Sequence, residues 1–217
     1  MPKRALIEHR PWLFAAIVGA IAYFFLRSGD IDELPIILLK GSGVAFLAIY
    51  ALARCGLFDA RLLALVMAFS SLGDMAIELS FVWGGAAFAL SHLTAITLYL
   101  RNRREQTTGS QKGAAFALLL ITPMVSWLLT RDVAVTVYAT TLGAMAATAW
   151  LSKFSRYRVG LGAILFIVSD WLIFFNIGAE NASSVTSLLI WPLYFSGQFL
   201  IATGVIQTLR RELPETS

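Results

Sequence analysis

Apolar runs of about 20 residues recur along the whole chain, and a protein built this way has few folds open to it. They cover residues 11–26, 34–53, 62–79, 81–100, 113–130, 133–151, 159–177 and 185–209. Each approaches the ~20 residues that a helix needs to cross the hydrocarbon core of a bilayer. Hydrophobic side chains make up 58% of the 217 residues, charged ones 14%, and the mean hydropathy is +0.75. A soluble domain is nearer ~45–50% apolar and ~25% charged. The expected fold is therefore an all-α membrane protein. It would be a bundle of about eight transmembrane helices in which residues 1–217 form a single polytopic domain.

The first run follows Lys3, Arg4 and Arg10 and continues through Tyr23-Phe24-Phe25-Leu26, past a loose cleavage-site match at Ala20-Ile21-Ala22. It reads as an uncleaved anchor. Fourteen Lys and Arg residues fall in the N-terminal segment, the second, fourth and sixth loops and the C-terminal tail, against only Arg27 and Arg131 on the other side. By the positive-inside rule both termini are expected in the cytoplasm. The expected location is the cell (plasma) membrane, as a multi-pass integral protein. No continuous basic face argues for a nucleic-acid partner. The single Cys55 excludes an intrachain disulfide. With only His9 and His92 and no HExxH-like spacing, neither a metal nor another cofactor is expected.

Polar residues inside the apolar runs are the candidates for chemistry. Residues 69–78, FSSLGDMAIE, carry Asp74 and Glu78 four residues apart, on one helical face with Ser70. Asp170 lies in a second interrupted run, beside Ser169 and followed by Asn176. The third and seventh spans run in the same direction. At 1.5 Å per residue the two aspartates sit about 18 Å and about 16 Å from the cytoplasmic starts of their helices. Lys40 interrupts the second span, His92 the fourth and Tyr138 the sixth, while Tyr194 and Gln198 share a face of the eighth after Pro192. A lone charge at mid-membrane costs roughly 2.5–3.5 kcal/mol on the insertion scale. Lys40, Asp74, Glu78 and Asp170 are therefore expected to face inward and meet one another or water. That describes a polar intramembrane cavity lined by spans two, three, four, seven and eight. The scattered Trp and Phe residues read as lipid-facing or interfacial.

These residues resemble the YhhN-type lysoplasmalogenase family. The matching pieces are Lys40, Ser71-Leu72-Gly73-Asp74, Ala87-Phe88 with His92, Tyr138 with Met145, residues 166–176 with Ser169-Asp170, and Tyr194 with Gln198. Gly41 departs from the pattern, in which proline follows the lysine, and Glu78 lies outside it. The resemblance implies hydrolysis of the vinyl ether bond of lysoplasmalogens, such as alkenyl-glycerophospho-ethanolamine or -choline. The products are a fatty aldehyde and a glycerophospho-headgroup. A vinyl ether is cleaved by protonation of its β-carbon and addition of water to an oxocarbenium-like centre, a cation that glycosidases meet with two carboxylates. Asp74 and Asp170 are the expected catalytic pair, one protonated and one ionised. Lys40 and His92 are candidates to hold the lipid phosphate, and Tyr194, Asn176 and Gln198 to position water or the ether oxygen. Tyr138 joins them as a candidate substrate-binding residue. The partners implied are a lysophospholipid substrate and the surrounding membrane lipids. A transporter or a lipid-binding sensor with a similar cavity is the alternative. A serine-esterase mechanism is disfavoured, since no GxSxG element is present.

Overall fold

The computed structural model describes residues 10–179 and 184–213; Lys3, Arg4 and His9 lie outside them. The described chain is helical throughout: α1 (Arg10–Leu26), α2 (Glu33–Arg54), α3 (Phe58–Leu79), α4 (Phe81–Arg101), α5 (Gly109–Thr130), α6 (Val133–Leu151), α7 (Leu161–Gly178) and α8 (Ser184–Arg211). A single π-helical turn, Arg156–Gly160, precedes α7. Seven helices are long and apolar enough to cross a membrane, with α7 counted together with its π turn, and α1 is a shorter apolar helix. The protein is a multi-pass helical membrane protein.

Two helices begin four residues earlier than their apolar runs. The first turn of α3 takes in Asp59 and Arg61 around the fully buried Ala60, with Asp59 at the positive end of the helix dipole. α5 begins at a capping box: the Thr108 hydroxyl accepts from the Gln111 amide N–H, and the Gln111 side chain accepts from the Thr108 N–H. The pattern T-x-x-Q is the sequence signature of such a start. α5 ends at Arg131, which adopts left-handed backbone geometry at φ 54°, and Asp132 at once caps α6.

The chain divides into two compact units: one running through Ser91 and resuming at Val205, the other spanning His92–Gly204. In the first unit α2 packs against both α1 and α3. Trp12 stacks with Phe46 at 6.2 Å between ring centroids. α3 comes so close to α2 that a Cβ on Gly41 would lie 2.7 Å from Met75 Cγ and 3.1 Å from the Ser71 carbonyl oxygen. The glycine after Lys40 is what this approach requires. The Ser71 hydroxyl closes the contact by donating to the Gly41 carbonyl at 2.8 Å.

In the second unit α5, α6 and α7 pack together. Val135, Ala139 and Phe174 form a small core beneath Tyr138 and Trp171. α7 and α8 touch backbone to backbone: a Cβ on Gly162 would lie 2.6 Å from the Gly197 carbonyl oxygen, and one on Gly197 would lie 2.7 Å from that of Gly162. Small residues at helix contacts are how packing replaces the hydrophobic drive inside a bilayer. Overpacking typically costs about 1–3 kcal/mol, so Gly197→Ala and Gly162→Ala should each destabilise the protein by about that amount. Thermal unfolding in detergent checks this against Gly85→Ala, where an added Cβ meets nothing within 4 Å.

Candidate functional site

In the first unit α3 carries a series of polar side chains that meet α2 and α4. The Ser91 hydroxyl donates to the Val66 carbonyl at 2.9 Å, so its oxygen receives the Ser70 hydroxyl at 2.8 Å. Ser71 bonds to α2, as above. Asp74 follows, 2% exposed, and then Glu78, which forms an ion pair with Lys40 on α2. The Lys40 ammonium also stands 5.7 Å from the centroid of the Tyr23 ring on α1, within the range of a cation–π contact. Lys40 and Asp74 interact electrostatically. The lysine is thus surrounded by an acidic partner, a second carboxyl and an aromatic face, and is not spread along the lipid boundary. Gly73, one residue before Asp74, receives Phe88 from α4: a Cβ there would lie 2.8 Å from the ring.

The second unit holds the other carboxyl. Asp170 is 5% exposed, and its Oδ2 accepts the Tyr138 phenol at 2.6 Å. Ser169 donates to the Ile190 carbonyl at 2.9 Å, fixing the rotation of α7 against α8. Trp171 donates its indole N–H to the Thr122 carbonyl at 3.4 Å. His92, 1% exposed, has its ring between those of Tyr138 and Phe166, at 5.3 and 5.2 Å between centroids. Its Nδ1 lies 3.1 Å from the Thr141 hydroxyl, which donates to the Tyr138 carbonyl at 2.7 Å. Phe166 meets Tyr194 edge-on at 5.1 Å, and Tyr194 meets Trp191 at 5.6 Å. Gln198 is 1% exposed, one turn further along α8.

Within this unit Asp170, Tyr138 and His92 come together, with Tyr194 joined to them through Phe166. Asn176 does not join this group. Its carbonyl accepts from Thr186 at 2.6 Å and its amide donates to Ser187 at 3.2 Å. Six residues separate Asn176 from Asp170, which turns it to another side of α7. Aromatic residues split in two. Phe14, Phe25, Trp83 and Phe116 are exposed, as expected of lipid-facing groups, but Phe88, Phe166, Phe174 and Trp191 are buried. Phe166 and Phe174 meet Tyr194 and Tyr138 edge-on, and Trp191 lies tilted against Tyr194. Sequence reasoning passed over Thr141, although it lies on one face of α6 with Tyr138 and Met145 at i, i+3 and i+7. It also passed over Tyr23, whose place under Lys40 has no local signature. Among the described residues no group of three His, Cys, Asp or Glu side chains could hold a metal ion.

The YhhN family model matches residues 36–205, which takes in Lys40, Asp74, His92, Tyr138, Asp170, Tyr194 and Gln198. The chain belongs to the YhhN family. Among curated relatives it is similar to proteins named lysoplasmalogenase from Mycobacterium bovis (strain ATCC BAA-935 / AF2122/97) and Mycobacterium tuberculosis (strain CDC 1551 / Oshkosh). Each is 28% identical over 194 residues, covering 82% of this chain and 72% of the relative. No solved structure gives a significant match.

Lys40 and Glu78 pair between two apolar helices, so removing one leaves the other without its partner. Lys40→Met should destabilise the protein by about 1–3 kcal/mol, and the double variant Lys40→Met/Glu78→Gln should regain most of that loss. Unfolding in detergent of the two single variants and the double variant measures the coupling.

Proposed function

We propose that this protein is a membrane-embedded hydrolase that cleaves the vinyl ether bond of lysoplasmalogens, releasing a fatty aldehyde and a glycerophospho-headgroup. What supports this reading is that a YhhN-family chain buries one carboxyl in each of its two units, Asp74 in one and Asp170 in the other, each in an apolar helix. The relatives' name supplies the substrate class. Lysoplasmalogens of ethanolamine or choline suit a site within the bilayer, because the alkenyl tail stays in hydrocarbon while the glycerol enters.

The proposed chemistry needs a proton donor and a stabilising anion. One carboxyl protonates the β-carbon of the alkenyl group, and its electron pair remains on the carboxylate. The second, ionised carboxylate faces the oxocarbenium-like centre and takes a proton from the water that adds to it. The hemiacetal so formed collapses to the aldehyde, and the ether oxygen leaves as the alcohol of the glycerol, taking up a proton. Tyr138 orients the Asp170 carboxyl through its phenol. The Lys40 ammonium, held by Glu78, supplies positive charge near Asp74. Tyr194 and Gln198 contribute buried polar groups for substrate or water, and His92 faces the same aromatic walls. Asn176 acts by fastening α7 to α8 through Thr186 and Ser187. The excess of Lys and Arg on one side of the bundle supports a further part of the proposal, that both termini lie in the cytoplasm and the protein in the plasma membrane.

Purified protein should release aldehyde from a lysoplasmalogen and none from the matched saturated alkyl-ether lipid. Asp74→Asn and Asp170→Asn should each lower the rate by about 100-fold or more, with folding intact by circular dichroism. Tyr138→Phe, which keeps the ring and removes the hydrogen bond to Asp170, should lose about 10-fold. Binding of the lipid without any aldehyde release would replace the hydrolase reading with that of a sensor or transporter.

A further inference from the structure

Three buried side-chain atoms lack a hydrogen-bond partner among the described residues, His92 Nε2, Tyr99 Oη and Trp150 Nε1, and the first belongs to the cluster around Asp170. His92 Nε2 is fully enclosed and makes no hydrogen bond among the described residues. Buried polar atoms in folded proteins are nearly always bonded, and an exception calls for a reason. The bonding at the other ring nitrogen defines what Nε2 offers. The Thr141 hydroxyl has one proton and spends it on the Tyr138 carbonyl at 2.7 Å, so towards His92 it accepts. Nδ1 therefore carries the N–H, and a neutral ring so bonded presents its lone pair on Nε2. The position is a built hydrogen-bond acceptor, and it suits a donor better than a phosphate oxygen, which can only accept.

Resting on the lysoplasmalogenase reading, we infer that His92 Nε2 accepts a hydrogen bond from the free hydroxyl of the bound lysolipid's glycerol. That hydroxyl sits on the carbon next to the one bearing the ether oxygen. Tyr138 ties the two sites together: its phenol holds Asp170 at 2.6 Å, its carbonyl anchors Thr141, and its ring lies 5.3 Å from the imidazole. A substrate whose ether lies at Asp170 would carry its neighbouring hydroxyl beside Tyr138, the residue that contacts both Asp170 and His92. The headgroup amine is separated from the ether by the rest of the glycerol, the phosphate and two methylenes. His92 is then a specificity-determining residue that favours lipids with the second glycerol position free, because an acylated or absent hydroxyl leaves the nitrogen unpaired.

Binding of two saturated alkyl-ether glycerophosphocholines tests this without catalysis. One carries the second-position hydroxyl and the other has hydrogen there; choline has no N–H, so the headgroup supplies no donor. Wild-type protein should bind the hydroxyl lipid about 10-fold or more tightly than the deoxy lipid. His92→Gln, which keeps an acceptor near the Nε2 position, should retain a preference. His92→Leu should bind both lipids alike, with the affinity that wild-type protein has for the deoxy lipid. Equal binding of the two lipids by wild-type protein, or a preference surviving in His92→Leu, overturns the inference and leaves the hydrolase reading standing. Failure of folded wild-type protein to bind either lipid overturns both.

Discussion

Hydrocarbon cannot solvate an ion or an unpaired polar group, and this chain places Lys40, Asp74, Glu78 and Asp170 within its apolar helices. Everything around those side chains answers that constraint. Lys40 lies between Glu78 and the Tyr23 ring, and Asp170 receives the Tyr138 phenol. Hydroxyls of Ser70, Ser71, Ser91 and Ser169 bond to one another or to carbonyls of neighbouring helices. Such bonds also fix the rotation of each helix, since a Ser or Asp aimed at lipid would lose its partner.

Close packing makes the pairing possible. Gly41 lets α3 approach α2 until Ser71 reaches the Gly41 carbonyl, which sets the register at which Lys40 and Glu78 meet. Gly162 and Gly197 do the same for α7 and α8, and Ser169 reaches the Ile190 carbonyl across that seam. Glycines and serines thus serve as much to hold the ionisable groups in place as to hold the helices together. Buried aromatics, Phe166, Phe174, Trp191 and Tyr194, pack into the second cluster. In a buried setting a carboxyl acts more strongly on a developing cation than it would in water, which is the proposed use of Asp170 here and of Asp74 in the first unit.

Much of this was legible in the sequence, because the bilayer fixes helix length and penalises misplaced charge. The ends of α4, α6 and α8 fall within two residues of the ends of their apolar runs, and the polar positions in those runs pointed to the buried clusters. The early starts of α3 and α5 were harder to see, since Asp59 and the Thr108 cap lie outside the hydrophobic pattern that betrays a span. Partners from distant helices were not legible at all. Nothing local to Tyr23 places it under Lys40, and nothing local to Thr141 fixes the imidazole of His92. Asn176 shows the converse: a polar residue six positions from Asp170 on the same helix is occupied by α8. Periodicity places a residue on a face of its helix and leaves open which neighbour that face meets.

The central claim is that a buried carboxyl protonates the β-carbon of a vinyl ether before water adds. Running the reaction in D2O with immediate borohydride reduction of the aldehyde, followed by mass spectrometry, tests it most directly. Proton transfer from an acid equilibrated with solvent places one deuterium on the second carbon of the released chain. Release of a chain bearing no deuterium at that carbon would contradict it.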